Sequence, residues 1–260
     1  MHRFYIENIE GETVIIDGSE AHYIKNVLRQ KIGDEVFLFD GKENEYKAGI
    51  VEFLSFNSGP AVKLKIVSKT HKNIESSVKI NLYQSLPRLK KFDFIVEKAT
   101  ELGVYKIVPV ISERVQLPKD VILKEAKNLS KLARWRKIAL SAAKQCGRVV
   151  VPEVAEITKF RNAVESVVCH SDPDKSGKES FSIIPWECEQ NSTLKKVLKT
   201  LNSQLSTLNL FIGPEGGFSN NEIELAKNNG VIPVSLGKRI LRTETAPIVV
   251  IANLLYELEN

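Results

Sequence analysis

The spacing of apolar residues changes period once along the chain, and that change constrains the fold more than any motif does. From His2 to about Lys69 the apolar residues fall in short runs, RFYIE, TVIID, EVFLFDG, EYKAGIVEFL and AVKLKIVSK, separated by Gly11, Gly33, Gly41 and Gly59. Many short strands between turns predict a small β-barrel. One helix is expected inside this stretch, from about Ser19, with Ala21, Ile24, Val27 and Leu28 at helical spacing. The segment Thr70 to Ser77 is polar and unpatterned, and it places a domain boundary between residues 1–72 and 73–260.

Beyond that boundary strands alternate with helices, the signature of an α/β domain with a largely parallel sheet. VKINLYQSL, KIVPVIS, NLFIG and VIPVSLG read as strands. Phe92, Ile95, Val96, Ala99 and Leu102 recur at helical spacing before Gly103, and a long helix is expected from about Leu123 to Lys144. Ser219 to Glu222 forms a capping box that opens a helix closed by Gly230. The terminal APIVVIANLLYELEN is apolar nearly all round and is expected to be buried, with a second subunit as one candidate cover. Asp172 to Ser180 reads as a solvated loop.

Composition excludes several classes. Hydrophobic residues make up 43% and charged residues 27%, an ordinary globular balance, and the net charge is a mild +5. Three cysteines without a C-x-x-C pair disfavour a disulfide framework or a structural zinc site and fit a reducing cytoplasm. The N-terminal stretch has no apolar signal core, and no segment approaches the ~18 apolar residues of a membrane span. The four histidines lack metal-ligand spacing, so no metal is proposed.

Chemistry concentrates in two loops. Leu210–Phe218, LFIGPEGGF, carries a short strand into three glycines and then a capped helix, an arrangement in which backbone can approach a ligand closely. Its glycine spacing is neither that of a dinucleotide fingerprint nor that of a Walker loop, which disfavours NAD and ATP. Val234–Ala246, VSLGKRILRTETA, leaves another strand for the last helix, and on adjacent strands the two loops would wall one pocket. Taken alone, each reads as well as an ordinary tight turn, with Lys238, Arg239 and Arg242 solvated and Glu244 and Thr245 capping a helix. Separately, Lys119 to Arg148 holds nine basic residues against two acidic ones. Lys124, Lys127, Lys131 and Arg134 form one stripe, to which Arg88, Lys90 and Lys91 add, and this favours polyanion binding over a merely solvated face.

These motifs also carry a resemblance. In HRFYIENI, AHYIKNVLRQKIGDEVFLFDG, FDFIVEKATELGV with the following ISER, RWRKIALSAAKQCGRVVVPEV, IGPEGGFSNNEI and VSLGKRILRTETA, nearly the whole chain resembles the RsmE family of small-subunit ribosomal RNA uridine-N3 methyltransferases, in the SPOUT superfamily. Tyr23 and Ser141 stand where that family commonly has His and Glu.

The resemblance implies a PUA-like β-barrel for RNA binding at residues 1–72 and a SPOUT-type α/β trefoil-knot methyltransferase domain at 73–260, working as a cytoplasmic homodimer. It implies S-adenosylmethionine held by Ile212, Gly213, Pro214, Glu215, Gly216, Leu236, Gly237, Ile240, Leu241, Thr245 and Ala246. The substrate would be N3 of a uridine in 16S ribosomal RNA, uridine 1498 in the usual RNA numbering, within the small ribosomal subunit. Arg242 is then the expected stabiliser of the uracil anion and Glu244 the expected proton acceptor. RNA contacts are expected at Arg3, Arg29, Arg88, Lys131, Arg134, Arg136, Lys144 and Arg148. The competing readings are a noncatalytic RNA-binding or ribosome-assembly factor and a SPOUT enzyme with another RNA target.

Overall fold

Alternation of buried Val14 and Ile16 with exposed Ile15 along Thr13–Asp17 is what a half-buried strand requires. The computed structural model of the protein describes residues 2–57, 59–72, 74–88, 91–116, 125–168, 179–200 and 205–259. They form two compact units, Met1–Glu75 with Ala143–Val151, and Ser76–Ala142 with Pro152–Asn260.

The first unit is a five-stranded sheet. Its strands are β1 (Arg3–Tyr5), β2 (Thr13–Asp17), β3 (Glu35–Phe39), β4 (Asn44–Phe56) and β5 (Gly59–His71), in the order β1-β3-β4-β5-β2. β1 runs parallel to β3 and the other neighbours are antiparallel. Phe4, Ile16, Leu38, Ala48 and Leu64, one from each strand, meet in a single core.

The helix of this unit is shorter than its spacing predicts. Helix α1 (Gly18–His22) passes into a π-turn at Tyr23–Val27, closed by the Leu28 N–H donating to the Tyr23 carbonyl at 2.9 Å. The wider turn keeps Ala21 and Ile24 in the core and swings Val27 out to solvent, against the sequence expectation.

The second unit is an all-parallel sheet. Strands β6 (Lys79–Ser85), β7 (Lys106–Ile111), β8 (Glu153–Val154), β9 (Thr158–Lys159), β10 (Glu179–Pro185), β11 (Leu205–Ile212) and β12 (Ile232–Val234) take the order β12-β10-β11-β6-β7-β8, with β9 also on β7. Tyr83, Val108, Ile184 and Phe211 turn to one face, where they pack with helices α4 (Phe160–Val168) and α6 (Asn220–Asn228). The capping box read at Ser219 and Glu222 opens α6, with both reciprocal bonds made. On the other side of the alternation lie Leu82, Ile107 and Leu210, all fully buried, as in a sheet covered on both faces. Ile184→Val removes one methylene from this core and should lower stability by about 0.5–1.5 kcal/mol. The midpoint of urea unfolding measures it.

Two expectations change, and the last helix shows a one-sided burial within the chain. Helix α3 (Glu125–Cys146) runs out of the second unit, and residues 143–151 belong to the first. Burial explains this: Val149 is fully enclosed, and Arg148 pairs with Glu75 while its carbonyl accepts from Arg3 at 3.1 Å. Strand β10 and helices α4 and α5 (Leu194–Leu198) are absent from the sequence reading. Helix α7 (Thr245–Leu258) buries only one stripe, Ala246, Pro247, Val250, Ile251 and Leu254, and exposes Tyr256. It covers the chain's own core on a single side.

Candidate active site

Parallel pairing brings the carboxyl ends of β10, β11 and β12 to one edge of the sheet, since Ile183 is in register with both Leu210 and Ile232. The loops that leave these three strands enclose a cleft of about 540 Å³. Ile212 to Phe218 line it from β11, Ser235 to Thr243 from β12, and Trp186 and Glu187 from β10. The two loops singled out in the sequence thus share one pocket, though not from adjacent strands, because β10 lies between β11 and β12. Clefts at the carboxyl edge of a parallel sheet are where such folds bind small molecules.

Side chains fix the loops. Fully buried Gln84 at the end of β6 donates from Nε2 to Thr243 Oγ1 at 3.1 Å, and the Thr243 hydroxyl donates to the Gly213 carbonyl at 2.6 Å. Arg114 donates to the Gly216 carbonyl at 3.0 Å. Glu222 accepts from the Glu113 and Ser219 N–H groups at 2.8 and 3.0 Å, tying the start of α6 to the segment after β7. Glycine is favoured at two points. Gly217 has φ +67 and a Cβ there would lie 2.6 Å from Glu187 Oε1, while a Cβ on Gly216 would press on Arg114 at 3.2 Å.

Charge is arranged around Lys91, the first residue of helix α2 (Lys91–Glu101). Its ammonium lies 3.2 Å from Glu215 and 3.1 Å from Glu244. The Glu244 carboxylate, and after it that of Glu215, raises the Lys91 pKa above its usual value. Burial alone would raise the Glu215 carboxyl, but the N–H groups of Glu215 and Arg88 and the Lys91 ammonium outweigh it and lower the pKa. The sign follows: Glu215 stabilises the loop above the ordinary carboxylate pKa, and that contribution is lost as pH falls through its lowered value. The hydrogen-exchange protection of residues 213–217, measured against the intrinsic rate at each pH, should therefore fall in acid before that of the sheet core. An equal loss of protection in both would contradict this.

A family model described as an RNA methyltransferase domain matches residues 74–255, and one described as an RNA methyltransferase PUA domain matches residues 16–52. The chain is 31% identical to ribosomal RNA small subunit methyltransferase E of Bacillus subtilis, over 100% of this chain and 98% of that protein. It belongs to the ribosomal RNA small subunit methyltransferase E family. A Buchnera aphidicola protein of the same name is 31% identical, over 97% of this chain and 92% of its own. The Neisseria gonorrhoeae methyltransferase E, solved bound to S-adenosyl methionine, aligns with a TM-score of 0.81 and 31% identity over 98% of this chain and 97% of that one.

In this family member, Ile212, Gly213, Pro214, Glu215, Gly216, Leu236, Gly237, Ile240, Leu241 and Ala246 all line the cleft. Thr245 does not: it starts helix α7 and faces solvent, and Thr243 is the threonine turned into the site. Arg242 lies at the cleft, exposed, with no ion pair among the described residues. Glu244 sits at the N-cap position of α7 and, like Thr245, does not line the cleft; its carboxylate goes to Lys91 rather than to the helix N–H groups. Trp186 and Glu187 escaped the sequence reading because β10 did; the apolar Phe181, Ile183 and Ile184 just before them were the available signal.

The expected RNA contacts divide. Arg29 and Arg88 are exposed, as are Arg134 and Arg136 on α3, and Lys131 is half-buried. Arg134 pairs with Asp93 at 2.5 Å, and Arg136 donates to the Val154 carbonyl. Arg148, buried, and Arg3, with a side chain only 9% exposed, are ion-pair partners of Glu75 and Glu45, so reaching a phosphate would break those pairs. Lys144 is engaged by Glu20 at 2.5 Å. Lys90, Lys119 and Lys124, the side chain of Lys127, and Cys169 and His170 lie outside the described residues. Among the described residues no cluster of His, Cys, Asp and Glu could hold a metal ion, and no helix is long and apolar enough to cross a membrane.

Proposed function

We propose that this protein transfers a methyl group from S-adenosylmethionine to N3 of uridine 1498 in the 16S RNA of the small ribosomal subunit. The observation that carries the reading is the cleft itself, in which two glycine-bearing loops face each other and Arg242 stands at the edge without an ion-pair partner among the described residues. The residues suit the cofactor. A cleft of about 540 Å³ is in the range that takes a ligand of this size. The backbone groups of Lys238 to Leu241 have no hydrogen-bond partner among the described residues and are open to a ligand. Ile212, Leu236 and Leu241 supply apolar surface.

When bound, S-adenosylmethionine supplies an electrophilic methyl group. The rest falls to the chain. The loops hold donor and acceptor in line at near-attack distance. N3 of uridine carries a proton at neutral pH, so a base must take it, and Glu244 is the carboxylate of the loop in that role. Arg242 donates hydrogen bonds to the uracil oxygens as negative charge develops on the ring. A uridine in a duplex must be extruded to reach the cleft. Arg29, Arg88, Lys131, Arg134 and Arg136 bind the surrounding phosphates, the PUA match at 16–52 supporting an RNA-binding role for the first unit. The closed PUA-like barrel, the trefoil knot and the cytoplasmic setting belong to the same proposal and rest on family membership. So does a homodimer, supported by Tyr256 at 74% exposure on α7.

Isothermal calorimetry with S-adenosylmethionine, ATP and NAD tests the cofactor assignment, and binding of S-adenosylmethionine alone is expected. No binding by folded protein, with or without small-subunit RNA, refutes it. RNA affinity should fall steeply with salt, with a log–log slope reporting the number of phosphates neutralised. A flat response between 50 and 200 mM salt contradicts the phosphate contacts.

A further inference from the structure

We infer that Lys91 is a positioning residue that ties the two loops of the cleft together through their carboxylates. The inference rests on the cofactor reading above and adds to it a residue outside both loops. Lys91 opens α2, whose backbone is held by buried Phe92, Ile95 and Val96, with the Phe92 ring 4.3 Å from that of Trp135. The ammonium therefore projects from a rigid base. It reaches Glu215 of the β11 loop at 3.2 Å and Glu244 of the β12 loop at 3.1 Å, two residues 29 positions apart in the chain.

The arrangement is costly to leave incomplete. Glu215 and Glu244 have side-chain exposures of 26% and 17%, so water screens them only in part. Without the cation, two carboxylates from opposing loops would face each other, and like charges in a partly shielded site repel. The Arg88 N–H, 3.1 Å from Glu215, holds only one of them. Lys91 also lines the cleft, so loop separation would be felt where the cofactor sits. The same contact directs Glu244 away from the helix it precedes.

The test uses the dissociation constant of S-adenosylhomocysteine, which reports the cleft without turnover. Lys91→Met should weaken binding at least tenfold with little change in melting temperature. Lys91→Arg, which can span both carboxylates, should recover most of the affinity. Lys91→Met combined with Glu244→Gln should bind more tightly than Lys91→Met alone, because the repulsion is removed. Hydrogen exchange gives a second readout: in Lys91→Met both loops, 213–218 and 236–244, should exchange faster while α6 does not. Wild-type affinity in Lys91→Met, or a double variant no better than the single one, overturns the inference. If Lys91→Met melts early, unchanged loop exchange below its transition overturns it and faster exchange supports it. Failure of the wild-type protein to bind the probe counts instead against the cofactor reading.

Discussion

Arg242→Ala is expected to slow methyl transfer by about 100- to 1000-fold, the usual cost of removing one preorganised donor from a site where negative charge develops. Cofactor affinity should stay within about threefold, on the same reasoning that the donor acts mainly as the charge develops. The guanidinium is exposed at the cleft and no carboxylate among the described residues neutralises it, so its donors are available to substrate. The fold should not suffer. What Arg242 gives to the structure is its backbone carbonyl, which accepts from the Thr245 and Ala246 N–H groups at 2.9 Å and starts helix α7. Alanine keeps that carbonyl. Single-turnover rates at saturating cofactor separate the two effects, and an unchanged rate would remove Arg242 from the mechanism. Lysine should rescue poorly, because a compact ammonium cannot reproduce the planar fork of donors.

Thr243→Val is expected to lower stability by about 1–3 kcal/mol, the cost of leaving the partners of a buried hydroxyl unpaired, and to weaken cofactor binding as the cleft loops loosen. The substitution keeps the side-chain shape and removes only the hydroxyl. That hydroxyl accepts from Gln84 and donates to the Gly213 carbonyl, joining the end of β6 to both cleft loops. Thr243 is 5% exposed, so water cannot readily replace it. Gln84→Leu should show part of the same loss, and the double variant less than the sum, since the two residues serve one chain of hydrogen bonds. Additive losses would mean that the residues act independently.

How far the sequence could be read depended on the range of the interaction concerned. The glycine loop after β11, the capping box at Ser219 and Glu222, and the strand-to-helix alternation are local, and local chemistry shows in local sequence. Sheet order is not local. That β10 separates β11 from β12 depends on pairings between distant residues, as does the return of Ala143–Val151 to the first unit. That Thr243 lines the cleft and Thr245 does not is a matter of two residues at a helix start, which composition cannot resolve. Arg3 and Arg148 read as free cations because their partners, Glu45 and Glu75, lie far from them in sequence. The bridge from Lys91 to Glu215 and Glu244 was hidden for the same reason: opposite charges 124 and 153 residues apart carry no mark of their contact until the chain is folded.

The central claim is best tested on RNA. Small ribosomal subunits from cells lacking the protein would be incubated with the purified chain and methyl-labelled S-adenosylmethionine, and the 16S RNA digested and analysed by mass spectrometry. The account predicts one labelled nucleoside, 3-methyluridine, at a single position, with label nearly absent for Arg242→Ala. Label on a ribose or on another base would contradict the N3 assignment, and no label on free RNA, subunits or assembly intermediates would contradict the enzyme.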